Sequence, residues 1–204
     1  VYQVYKEDTN IIAAKVMLRK DFSIDEWNSA LKLMRNENPF MLKYHSANFI
    51  GDIVIILMEY ANMQSLENLI ESEKELQIST IRVIMKQLLE EVCTIHKSGF
   101  IHRDIKGQNI LLHSTIGSQK VMLKIADLGT IKEQLNPYQT ALFIPQGTPN
   151  FMAPELLIDT EEEEETKGQV KADAKIDIWA VGIIFHQLLT HHFPFKQHKF
   201  SSIM

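Results

Sequence analysis

Cysteine is nearly absent from the 204 residues. The single one, Cys93, has no partner for an intrachain disulfide. It falls in a helical pattern as a small apolar residue rather than a reactive thiol. This economy fits a reducing setting, and an intracellular, cytoplasmic location is expected. Long apolar runs are missing as well. The longest, Ile53 to Met58, is far shorter than the roughly 20 residues a membrane helix needs, so no membrane segment is expected in this stretch. Excess positive charge is also lacking. Lys and Arg number 21 against 26 Asp and Glu, for a net charge of −5, which argues against nucleic acid as a main partner. Five acidic residues form one run, Glu161 to Glu165, which reads as a solvated insertion. His191, His192 and His198 lack a Cys or carboxylate at ligand spacing, so they are expected at the surface rather than on a metal. The length and the 45% hydrophobic content fit one globular unit or two small lobes.

The densest chemistry lies between two apolar segments, in Phe100-Ile101-His102-Arg103-Asp104-Ile105-Lys106-Gly107-Gln108-Asn109-Ile110-Leu111-Leu112. So many polar and charged groups would be costly in a core without a task. Asp104 can accept a proton. Lys106, two positions on, can face a polyanion. Asn109 offers an amide oxygen suited to a hard cation. Base, cation and metal ligand together are the requirements of phosphoryl transfer. The alternative is a polar surface turn.

His102 to Asn109 resembles the catalytic loop of eukaryotic protein kinases. Other segments fall in the family's order. Ala13-Ala14-Lys15 resembles the strand whose lysine holds the α- and β-phosphates. Glu59-Tyr60-Ala61 resembles the hinge, with backbone groups of Glu59 and Ala61 meeting adenine and Met58 gating the pocket behind it. Asp127-Leu128-Gly129 resembles the Asp-Phe-Gly metal motif. Gly147 to Glu155 resembles the end of an activation segment. The helix containing Asp177 resembles the central helix of the second lobe, where Asp177 would hold the catalytic-loop backbone.

The resemblance implies an α+β, two-lobed protein kinase-like fold: a small antiparallel β-sheet lobe with one helix, then a mainly α-helical lobe. The first lobe is expected over residues 1–57, without the glycine-rich loop. The hinge is expected over 58–62, and the second lobe over 63–204, without its last helices. ATP and Mg²⁺ are the implied cofactors, and ATP and protein substrates the implied partners. Asp104 and Lys106 are the implied catalytic residues. Lys15, Ala13, Val1, Met58, Glu59, Ala61, Asn109, Leu111 and Asp127 are implied on the nucleotide, with Asn109 and Asp127 on the metal. Arg103 is expected to meet a phosphate on the activation segment, since a guanidinium favours an anion. Thr140 is the first candidate for that phosphate, and Thr148 joins Arg103 and Thr140 in the regulatory set.

The remaining elements follow from periodicity. Val1, Val4 and Ile11 to Val16 alternate as strands around a turn at Asp8-Thr9-Asn10. Ser23 and Glu26 form a capping box ahead of a helix that Asn38-Pro39 ends. The Ile53–Met58 run reads as a strand buried on both faces. Ser65 begins a short helix. Ser79 caps a longer one carrying Ile81, Ile84, Met85, Leu88, Val92 and Ile95, which stops at Ser98-Gly99. A hairpin turns through Thr115 to Ser118. The helix from Asp177 to Leu189 is apolar nearly all round, as expected of one buried in a domain.

Besides Leu128 in place of the usual phenylalanine, a helix position departs from the family. Counting back from Pro39 places Ser29 where kinases carry the helix glutamate that pairs with the strand lysine, and Glu26 lies a turn earlier. Three readings compete: a serine/threonine protein kinase, favoured by Lys106; a kinase-like ATP-binding scaffold without transfer, motivated by Ser29; and a small-molecule phosphotransferase, which would not be expected to combine Lys106 with the Thr148–Glu155 segment.

Overall fold

Alternating apolar residues in the first sixty positions pair as strands, because side chains two apart share a face and can be buried together. A computed structural model describes residues 1–6, 10–34, 40–115, 117–134, 136, 138–157 and 169–195. Strands β1 (Tyr2–Lys6), β2 (Asn10–Leu18), β3 (Tyr44–Ile50) and β4 (Ile53–Glu59) form an antiparallel sheet ordered β1-β2-β4-β3. Lys15 lies opposite Ile56, and Ala13 opposite Met58. Ala13, Val54, Ile56 and Met58 therefore share the buried face, where Leu42 and Ala126 meet them.

β4 is not buried on both faces, as its continuous apolar sequence suggests. Val54, Ile56 and Met58 are buried, Ile55 and Leu57 are half-buried, and Ile53 is 41% exposed. The apolar cluster covers one face only. Continuous hydrophobicity in the sequence did not reveal which face had a second layer.

Helix α1 (Ile24–Met34) follows Ser23 and turns Ala30 and Leu33 into the core of the second lobe. The expected turn residues Asp8 and Thr9, the helix stop at Asn38-Pro39, the acidic run and His198 lie outside the described residues, as does the side chain of Glu26.

The second lobe is built on α2 (Leu66–Glu71), α3 (Ile78–Lys97) and α4 (Lys175–Thr190). A reciprocal Ser65–Asn68 capping box starts α2. α3 begins at Ile78 after Gln77, with no side-chain cap, so the expected cap at Ser79 is not formed. The Ser79 hydroxyl instead lies 3.4 Å from Gln77 Oε1. Packing of Ile81, Ile84, Leu88, Val92 and Ile95 holds the helix in place of a cap. Gly99, at φ +81°, turns the chain out of α3 into β5 (Phe100–Ile101). β6 (Ile110–Ser114) and β7 (Val121–Ile125) make the expected hairpin. Two short pairs complete the strands: β5 with β8 (Lys132–Glu133), and β9 (Ala141–Phe143) with β10 (Val170–Ala172).

α4 is buried along Ile176, Asp177, Ala180, Val181, Ile183, Ile184, Gln187 and Leu188, but Ile178, Phe185 and Leu189 are exposed. Its nearly all-round apolar sequence therefore does not produce all-round burial among the described residues. No described helix is long and apolar enough to cross a membrane. Leu88 is fully buried at the centre of α3. Leu88→Ala should cost about 3 kcal/mol through lost packing and a residual cavity, read as a lower urea midpoint. An unchanged midpoint would place the core of this lobe elsewhere.

Candidate active site

The loop from His102 to Asn109 leaves the fully buried Ile101 and is fixed from below by α4. Asp177 Oδ1 accepts the Arg103 amide at 2.9 Å, and Oδ2 accepts the His102 amide at 2.9 Å and meets His96 Nε2 at 2.8 Å. This bracing is needed because Arg103 has φ +71°, a left-handed conformation costing about 1–3 kcal/mol for a non-glycine residue. His102 is fully buried, and burial lowers its pKa despite the opposing charges of Asp177, Asp104 and Asp127.

Above this base, Asp104 gathers the loop and the distant Thr148. Its Oδ1 accepts the Thr148 hydroxyl at 2.9 Å and the Thr148 amide at 3.1 Å. Its Oδ2 lies 2.7 Å from Lys106 Nζ and accepts Asn109 Nδ2 at 3.0 Å. Asn109 Nδ2 also donates to Asp104 O, and Lys106 Nζ donates to the Thr148 hydroxyl at 2.8 Å. Burial by itself pushes the Asp104 pKa up. Hydrogen bonds from Lys106, Thr148 and Asn109, with the Lys106 charge, outweigh burial and hold it below its ordinary value. Thr148, expected among the regulatory residues, thus touches the two expected catalytic residues.

The second half of the site comes from the sheet. Lys15 Nζ meets Asp127 Oδ1 at 2.6 Å. Asp127 has φ +58°, and the following residues form a tight turn over Leu128–Thr130. The two halves are stitched together by Ala126 N donating to Asn109 O at 2.8 Å. No α1 side chain pairs with Lys15 among the described residues, and Ser29 is half-buried on that helix. A cavity of about 250 Å³ opens beside Lys15 and Asp127, with Trp27, Tyr44 and Ile56 in its wall.

Ala13, Met58, Ala61 and Leu111 gather in or against one apolar cluster. Val1 is outside it and 80% exposed. The Glu59 amide donates to Lys43 O at 2.7 Å, while both carboxylate oxygens lie 2.9 Å from Lys124 Nζ. Lys124 is 4% exposed in this pair, so the end of β4 is tied to β7 by a desolvated bridge. Thr140 is exposed just before β9. The Arg103 Nε donates to Thr130 O at 2.5 Å. Among the described residues, no group of three or more His, Cys, Asp or Glu side chains could hold a metal.

A protein kinase domain model matches residues 1–204. The chain belongs to the protein kinase family. Serine/threonine-protein kinase ULK3 of Homo sapiens is 27% identical over 100% of this chain and 41% of its own length. Serine/threonine-protein kinase ULK1 of Homo sapiens is 29% identical over 92% of this chain and 16% of its own. Serine/threonine-protein kinase pakG of Dictyostelium discoideum is 32% identical over 90% of this chain and 14% of its own. The kinase chain therefore spans less than half the length of each of these relatives.

Sequence reading missed three features of this kinase site. Lys132 packs its ammonium 4.1 Å from the Phe143 ring centre, and burial followed by the Arg103 charge lowers its pKa. Lys32 on α1 meets Glu133 on β8 at 2.5 Å, with side chains 52% and 43% exposed. The Tyr44 hydroxyl accepts the Leu128 amide at 3.4 Å. Burial, and secondarily the Asp127 charge, push the Tyr44 pKa up to about 12. None has a local motif to announce it.

Gly147 stands beside the Asp104–Thr148 contact at φ +125°, and a Cβ there would lie 2.6 Å from Arg103 O. Gly147→Ala should therefore destabilise the domain by about 2 kcal/mol, combining left-handed strain with a backbone clash. Urea denaturation checks this. Wild-type stability would mean that the loop accommodates the methyl group.

Proposed function

We propose that this kinase domain transfers the γ-phosphate of ATP to serine and threonine hydroxyls of protein substrates. The observation that carries this reading is the Asp104 carboxylate, held by Lys106, Thr148 and Asn109 within the same site as the Lys15–Asp127 pair. A substrate hydroxyl beside Asp104 passes its proton to that carboxylate as its oxygen bonds to the γ-phosphorus. The bond from that phosphorus to the bridging oxygen breaks, and ADP leaves. Lys106 steadies the γ-phosphate, and Lys15 meets the α- and β-phosphates. Ala13, Met58, Glu59, Ala61 and Leu111 line the adenine side, with Val1 at its open edge. We place the division between lobes at residues 58–62. Catalysis is then mostly positioning and charge neutralisation.

The donor chemistry suits Mg²⁺. Asp127 offers a carboxylate, while Asn109, whose Nδ2 is committed to Asp104, offers a hard amide oxygen. Mg²⁺ commonly takes few protein oxygens and completes its shell with phosphate oxygens and water. When bound, it neutralises phosphate charge. Asp127 and Asn109 would hold it, with their backbones stitched through Ala126.

Thr148 is placed with Asp104 and Lys106 as a residue that positions the substrate hydroxyl. Arg103 and Thr140 are retained as the regulatory pair, with a phosphate on Thr140 as the anion to be met. A cytoplasmic setting accords with the single free cysteine.

Asp104→Asn should lower transfer to a mixed serine and threonine protein substrate by on the order of 10³-fold, while binding of a non-hydrolysable ATP analogue persists. Transfer retained by the variant would remove Asp104 from the mechanism. Absence of transfer by the folded, Thr140-phosphorylated wild type would favour the scaffold reading.

The lowered pKa also sets a pH direction. Because folding depresses the Asp104 pKa, its contribution to stability is full above the unfolded value of about 3.9. It is lost as pH falls through the lower folded value. Acid denaturation of Asp104→Asn should show a weaker pH dependence than wild type below about pH 4. Superimposable curves would contradict the assigned shift.

A further inference from the structure

Asp127 is held in a conformation that it does not favour. At φ +58° it is a non-glycine residue in the left-handed region, where strain persists only if surrounding contacts fix it. Three neighbouring contacts bear on this turn. Lys15 takes the Asp127 carboxylate. Ala126 N, one residue earlier, donates to Asn109 O, and Leu128 N, one residue later, donates to the Tyr44 hydroxyl.

Tyr44 reaches the turn from β3 and is itself braced. Its ring meets Trp27 of α1 edge-on, with ring centres 5.7 Å apart and planes at 83°. Trp27 continues to Phe22 at 6.1 Å, and Phe22 to Phe49 at 5.3 Å. Aromatic contacts of this geometry fix orientation as well as contributing packing. A rigid row therefore runs from the sheet across α1 to the amide beside Asp127. It occupies the region where no described α1 side chain engages Lys15.

We propose that Tyr44, braced by Trp27, is a positioning residue for Asp127. By accepting the Leu128 amide, its hydroxyl holds the left-handed turn in the orientation required for metal binding. This rests on the reading of Asp127 as a metal ligand.

The test uses the full chain, Tyr44→Phe, Asp127→Asn and the double variant. In protein without nucleotide or metal, hydrogen exchange at the Leu128 amide is compared with exchange across β4 and α4. Binding of a non-hydrolysable ATP analogue is then titrated against Mg²⁺. Tyr44→Phe should accelerate Leu128 exchange and raise the half-saturating Mg²⁺ concentration, each by about three- to tenfold, the size of one neutral hydrogen bond. Exchange in β4 and α4 should stay as in wild type. Asp127→Asn should remove most of the Mg²⁺ dependence, and Tyr44→Phe should then add no further loss.

Unchanged Leu128 exchange or Mg²⁺ demand in Tyr44→Phe, with a clear effect of Asp127→Asn, would overturn the role of Tyr44 and leave Asp127 in place. Accelerated exchange throughout β4 and α4 would also overturn it, reducing Tyr44 to a packing residue. An Asp127→Asn variant with wild-type Mg²⁺ dependence would overturn the metal reading and this inference together.

Discussion

A buried carboxylate carries the geometry of the second lobe. Asp177 lies in the first turn of α4 and is 1% exposed. It can remain there because its oxygens meet two loop amides and an imidazole. Charged hydrogen bonds of this kind are stronger than neutral ones, and stranding any of these groups without a partner would be expensive. The strained Arg103 backbone, the orientation of Asp104 and the reach to Thr148 all lie downstream of that anchor. The helix supplies rigidity, and the loop supplies the polar groups of the candidate site.

The first lobe joins this base through backbone contacts as well as through the core that Ala30 and Leu33 share with the second lobe. Leu42 N donates to Ile125 O at 3.0 Å, and Ile125 N donates to Phe40 O at 2.9 Å. β7 therefore carries the approach to β3 on one side and leads into Asp127 on the other. Lys15 comes from β2, whose register against β4 sets which side chains face inward. A one-residue slip would move Lys15 to the opposite face. The strand pairing is consequently part of the geometry of the candidate site.

Much of this arrangement was legible because its informative parts are local. His102 to Asn109 lie within one loop, Asp127 to Gly129 within one turn, and Ser65 and Asn68 within one cap. The order of those segments was enough to imply a two-lobed kinase fold. Contacts between distant positions were much less visible. Tyr44 and Leu128 are 84 residues apart, and Thr148 and Asp104 are 44 apart. The segment of Thr148 is recognisable in the sequence and suggests regulation, while its contact with Asp104 is not recognisable there. The outer face of β4 is not legible for a related reason: six apolar residues in succession do not specify which of them a second layer will cover. At Ser79 a favourable local cap lost to tertiary packing, which carried α3 back to Ile78.

Two ion pairs span different parts of the domain in contrasting surroundings. Lys124 and Glu59 join β7 to the end of β4, with the lysine almost wholly desolvated. Lys32 and Glu133 join α1 to β8 with both side chains open to water. Mobile ions screen the second pair far more than the first. Ionic strength is therefore an unequal influence on this fold: added salt slackens the tether at α1 while the fastening of β4 to β7 holds.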